Sequence, residues 1–183
     1  MLFRSPSIQR FTSEARRALE EKGYIIYDLT GQSIKTLRNA GKPFYSTWHK
    51  DYPNLEAIQS RLSEVAIDPK NLYLSDSNNK TLREQEVIVR KFSKGLKIDG
   101  VEVIIGEMPD YVELVFKHFD TTGDRLFGQT YNYGYARTVT PTSGSSVASV
   151  GGFNAGCGLR VCGWVRDCGF GGLWAAPLVV PAK

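Results

Sequence analysis

Apolar residues in the first two thirds of the chain recur every three or four positions, whereas in the last third they alternate or run together between glycine-rich turns. Ile8, Phe11, Ala15, Ala18 and Leu19 fall on one helical face, with Arg10, Arg16, Arg17, Glu20 and Glu21 opposite and Gly23 as the stop. Ser5-Pro6 or Ser7 is the expected cap, because proline suits a first helical turn. Residues 24–29 form a short β-branched and aromatic run, the pattern of a buried strand. Ile34, Leu37 and Ala40 predict a second helix closed by Gly41 and Pro43. Residues 44–48 read as a strand and Leu55, Ile58 and Leu62 as one side of a short helix. A small strand-turn-strand is expected over 65–74.

Thr81-Leu82-Arg83-Glu84 is a capping-box sequence, with hydroxyl and carboxylate each able to take an orphan backbone N–H. It predicts a helix to about Lys97 that turns Leu82, Gln85, Ile88, Val89, Phe92 and Leu96 inward. A strand follows over 101–105. Pro109-Asp110 then opens a helix burying Val112, Val115, Phe116 and Phe119, continuing toward Gly128 with a break near Gly123. Beyond it, four strands are expected over 131–140, 147–153, 159–165 and 173–180. In the first, Tyr131, Tyr133, Tyr135, Arg137 and Val139 share a face. Pro177 and Pro181 argue that the last strand lies at an edge, since proline cannot donate to a ladder.

This pattern predicts an α+β fold. Its mainly antiparallel sheet comes largely from a C-terminal four-strand meander, covered on one side by three or four helices. The 183 residues are read as a single domain, helix-rich over 1–128 and strand-rich over 129–183. Composition sharpens that division: 12 of the 18 glycines and all three cysteines lie beyond residue 122, with only Asp124 and Asp167 as acidic residues there. A net charge of +4 is mild and argues against nucleic acid as a dedicated partner. No stretch approaches the roughly 18 apolar residues of a membrane span, so no membrane partner is expected. The N-terminal residues lack a secretory pattern and the cysteine count is odd, which together lead to the expectation of a cytoplasmic protein.

Candidate chemistry is thin. Cys157, Cys162 and Cys168 lack the fourth ligand of a structural zinc site, so no metal and no cofactor is expected. Thr30-Gly31-Gln32-Ser33 lacks the second glycine and the lysine of a phosphate loop, and reads as a helix cap. Five basic residues on the helix from Thr81 complement its C-terminal dipole and read as a solvated face. Two clusters remain. Trp48, His49, Asp51 and Tyr52 crowd functional side chains into one loop, and Tyr131, Tyr133, Tyr135 with Arg137 put aromatics and a cation in phase on one strand. They make a non-enzymatic module binding a small ligand or protein the leading expectation. The first alternative is an enzyme with a His/Asp acid–base pair, His49 with Asp51 or His118 with Asp120. The weaker alternative is single-stranded nucleic acid stacked on the tyrosine strand.

Three stretches carry a resemblance. They are residues 29–35 with Ser46-Thr47-Trp48-His49-Lys50-Asp51-Tyr52-Pro53, then Asp110-Tyr111-Val112-Glu113-Leu114, and finally Tyr135-Ala136-Arg137-Thr138 with residues 174–181. On these the chain resembles an uncharacterised family of bacterial cytoplasmic proteins. The resemblance implies a single-domain bacterial protein and supplies no reaction, cofactor or catalytic residue.

Overall fold

The computed structural model describes residues 7–45, 50, 52–128 and 134–183. Its fold is α+β with two four-stranded sheets. Helix α1 (Ser13–Glu21) leads into β1 (Ile25–Thr30), α2 (Ile34–Asn39), α3 (Pro53–Ala57) and β2 (Leu62–Ile67). Then come α4 (Leu82–Leu96), β3 (Val101–Ile104) and α5 (Met108–Thr122). The C-terminal region holds β4 (Tyr135–Pro141), β5 (Ser146–Asn154), β6 (Gly158–Val165), β7 (Leu173–Trp174) and β8 (Leu178–Pro181). One sheet runs β1-β2-β8-β3, antiparallel throughout; the other runs β6-β5-β4-β7, antiparallel except where β7 joins β4.

Period-two alternation in the first sheet decides what covers it. Tyr27, Leu29, Val65, Ile67, Leu178 and Val180 point to one side, into a cluster shared with α2 and α5. Ala66, Val103 and Val179 point to the other, where Phe11, Ala15, Leu19, Val89 and Leu96 cover them from α1, its approach and α4. Helix α5 is buried nearly all round because the second sheet closes on its far side with Ala148, Val150, Phe153 and Val161. The layers are therefore α1 and α4, first sheet, α5, second sheet. Gly123, at φ +80°, ends α5 in a left-handed cap, its N–H donating to Phe119 O.

Several expectations shift in position. Helix α1 starts later than an N-cap at Ser7 predicts because Thr12 accepts from Ala15 N, while Gln9 bridges to Ser63 of β2; the alternative cap at Ser5-Pro6 lies outside the described residues. The capping box of α4 forms as expected between Thr81 and Glu84. Residues 72–74 are no strand, and Phe44 of the expected 44–48 strand makes one bridge, to Leu159; residues 46–49 lie outside the described residues. Helix α5 stops at Thr122 and does not reach Gly128.

The expected strand over 173–180 is two strands in different sheets. β7 pairs parallel with β4 and so completes the second sheet without extending the meander β4-β5-β6, while β8 crosses to the first sheet. The edge placement inferred from the prolines is corrected: β8 is interior, between β2 and β3. Pro177 precedes β8 and Pro181 ends it, so Leu178, Val179 and Val180 keep their N–H donors for the ladder. Helices also flank both faces of the first sheet, where covering on one side was expected, and α5 lies against the second.

Candidate functional site

Of the sequence-singled residues, Trp48, His49, Asp51, Tyr131 and Tyr133 lie outside the described residues. Tyr52 precedes α3, half-buried against the main core. Tyr135 is half-buried at the start of β4 near Arg160 of β6, whose guanidinium lies 3.5 Å from the Tyr45 ring centre. Burial raises the Tyr135 phenol pKa, as does nearby Cys162. Near one end of the β5–β6 hairpin, Tyr45 N donates to Leu159 O and Gly152 N to Gly134 O.

Arg137 faces no open surface. It is 0% exposed, and it donates to the carbonyls of Arg166 (2.9 Å) and Cys168 (2.6 Å), pinning the loop between β6 and β7. A cation spent on backbone carbonyls inside the protein is a fastener. His118 and Asp120 do not meet. Asp120 accepts from Lys42 Nζ at 2.6 Å on the surface, whereas His118 is buried with Nδ1 2.7 Å from the Tyr27 hydroxyl. Burial pushes the His118 pKa below its ordinary value, against a weaker pull from Asp124. The three cysteines are free thiols, and no group of three or more metal-ligating side chains occurs among the described residues.

Three buried carboxylates have structural duties. Glu64 accepts from Phe11 N, Arg10 and Arg16 and fastens α1 and its approach to β2. Asp110 accepts from Arg61 N and Nε and from Glu107 N at the start of α5. Glu113 accepts from Thr30, Gln32 and Ser60 and faces Lys117 at 3.1 Å. Each is saturated by donors, so none is placed to move a proton.

An open concavity lies elsewhere. It is a groove of about 770 Å³ between α4 and the segment linking β2 to α4. Its floor is apolar: Ile67, Leu72 and Leu74 from the segment, Ile88, Phe92 and Leu96 from α4. Tyr24 stands at one wall, its phenol pKa raised by burial and by Asp68. Lys22 and Lys91 sit on the rim, and neither pairs with a carboxylate among the described residues. Asp68 is engaged in its own turn, accepting from Lys70 N (3.0 Å) and Asn71 Nδ2 (2.8 Å). Asp76, exposed on the rim, is the remaining carboxylate.

Gly95 belongs to this groove. It lies in the last turn of α4 with helical φ, and a Cβ there would meet nothing within 4 Å. Glycine costs a helix roughly 0.5–1 kcal/mol against alanine, and neither packing nor backbone geometry requires it here. It lines the groove, and a side chain there would project into open space. None of the groove residues carried a chemical signature in the sequence; Ile88, Phe92 and Leu96 have the spacing of ordinary core.

Comparison with protein-family models, with curated proteins and with solved structures returned no match. Among the described residues, no helix is long and apolar enough to cross a membrane.

Proposed function

We propose that the chain is a non-enzymatic binding module whose ligand is a small amphipathic organic anion, seated in the groove beside α4. The apolar body of the ligand lies on Ile88, Phe92 and Leu72, and its anionic head meets Lys22 and Lys91 at the rim. The observation that carries this reading is a groove of about 770 Å³, within the usual size range of ligand sites, with an apolar floor and two ammonium groups unpaired among the described residues. The open position at Gly95 supports it.

The test is calorimetric titration with straight-chain carboxylates of increasing length and with an alkyl trimethylammonium of matched length. Affinity rises about fourfold per added methylene, the value of burying one CH₂, until the groove is filled. The cation binds more weakly at every length. Replacing both lysines, Lys22→Glu with Lys91→Glu, weakens the carboxylate by roughly tenfold, the scale of exposed ion pairs reversed in sign. Gly95→Phe blocks binding while the helix remains. Equal affinity for anion and cation, or binding unaffected by Gly95→Phe, removes the proposal.

A further inference from the structure

Helix α4 turns Gln85, Val89 and Leu96 into the core, and helical spacing then fixes its opposite face. Arg83, Val87, Arg90 and Lys94, at i, i+4, i+7 and i+11, fall along that face as one ridge, about 16 Å long at the helical rise per residue. All four are exposed, Val87 at 53%. Lys91 stands beside the ridge and Lys97 at its C-terminal end, both exposed as well.

None of these five cations pairs with a carboxylate among the described residues. Helix α1, which covers the same face of the first sheet, does the opposite: its Arg16 pairs with Glu20 and its Arg17 with Glu21. The carboxylates of α4 itself leave the ridge uncompensated. Glu84 is drawn back to Thr81 N at 2.7 Å in the capping box, and Glu86 lies on the flank beside Val103 and Val139. Like charges at i and i+4 weaken a helix, and Arg90 with Lys94 stand in that relation. On the other flank lies the groove. Going round the helix from the ridge come Lys91, Gly95, Ile88 and Phe92, all of which line it.

We infer that α4 docks the protein on an anionic lipid bilayer, its ridge against the headgroups and the groove mouth beside them, so that the groove takes its amphipathic anion from the membrane surface. Charge complementarity sets the partner's sign: a helix bearing four to eight Lys and Arg residues attracts anionic lipid, each cation raising partitioning about fivefold. The choice of lipid over another polyanion rests on the groove as the seat of an amphipathic anion. The ridge agrees with that choice, since it carries no aromatic side chain to stack on a base and no amide to read one. The apolar face of α4 is already spent on the core, so the contact is electrostatic and confined to the headgroup layer. It is distinct from a span, for which no helix among the described residues is long and apolar enough.

The test is cosedimentation of the full chain with phosphatidylcholine vesicles containing about one third phosphatidylglycerol. Pure phosphatidylcholine vesicles and single-stranded and duplex DNA oligonucleotides of matched phosphate concentration serve as the other arms. The inference expects binding to the anionic vesicles at about millimolar lipid, weakening as salt shortens the Debye length. Arg90→Gln with Lys94→Gln, both outside the groove lining, lowers partitioning roughly 25-fold and leaves the affinity for a free straight-chain carboxylate in place. Lys35→Gln with Lys50→Gln removes the same charge from exposed positions off α4 and leaves partitioning nearly unchanged. Gly95→Phe keeps vesicle binding while the free carboxylate no longer binds. No binding to anionic vesicles at low salt, equal binding to pure phosphatidylcholine, equal loss in the two double variants, or tighter binding to either oligonucleotide overturns the inference. The free carboxylate reads the groove and the vesicles read the ridge, so failure of either proposal is seen separately.

Discussion

Replacing Glu113 tests whether α5 is clamped to the first sheet by one buried carboxylate. Its side chain is 0% exposed on the central helix. It accepts from Thr30 N at 3.0 Å, Thr30 Oγ1 at 2.8 Å, Gln32 N at 3.3 Å and the Ser60 hydroxyl, and pairs with Lys117. A hydrogen bond to a charged group contributes about 1.5–3 kcal/mol. The Thr30–Gln32 turn is partly open to water, so two of these bonds are counted as recovered by solvent and the rest at the low end. Glu113→Ala then costs about 4 kcal/mol, in line with the roughly 3–5 kcal/mol for breaking a buried ionic network. Glu113→Gln keeps one acceptor and turns an amide N–H₂ toward a donor, at about half that cost. Urea unfolding measures both: the midpoint falls and the slope stays constant. Ser60→Ala costs less in the Glu113→Gln background than alone, because the two share one interaction. A loss below about 1 kcal/mol for Glu113→Ala refutes the clamp, since even one charged hydrogen bond exceeds that.

Arg137→Met leaves the Arg166 and Cys168 carbonyls without their donor and lowers stability by about 3 kcal/mol, with amide exchange accelerating first over 166–172. His118 gives the fold an acid limb. Its folded pKa lies below the unfolded value of 6.5, so its contribution is complete above pH 6.5 and is lost as pH falls from there through the folded pKa. In His118→Gln the stability difference between pH 8 and pH 5 shrinks, as denaturant titration at the two pH values shows. Gly158→Ala forces a side chain into a φ of +82° and within 2.5 Å of Pro43 O, costing about 2 kcal/mol and loosening the Phe44–Leu159 bridge; thermal unfolding and exchange at Leu159 report it.

Local signals in the sequence carried the helices well. The Thr81/Glu84 capping box, the inward set of α4 including buried Gln85, and the apolar faces of α1 and α5 follow from spacing alone. Strand partners did not. Residues 173–180 look like one continuous apolar strand, yet a break at Ala175–Pro177 sends Leu178–Pro181 into a sheet whose other members lie up to 150 residues earlier. Nothing local encodes that crossing, because pairing is decided by burial on both faces of β8. The same reason hid the duties of Arg137 and Glu113. A cation among in-phase tyrosines suggests a surface, while its partners, two loop carbonyls some 30 residues away, are fixed only by folding. The groove was illegible for a related reason. Ile88, Phe92 and Leu96 have core spacing, and only the three-dimensional gap at Gly95 marks them as a floor.

The groove is tested most directly by amide and methyl chemical-shift mapping during titration with dodecanoate. The account predicts saturable shifts confined to Tyr24, Leu72, Ile88, Phe92, Gly95 and their immediate neighbours, and their loss in Gly95→Phe. Shifts that never saturate, or that gather on the second sheet and spare α4, contradict it.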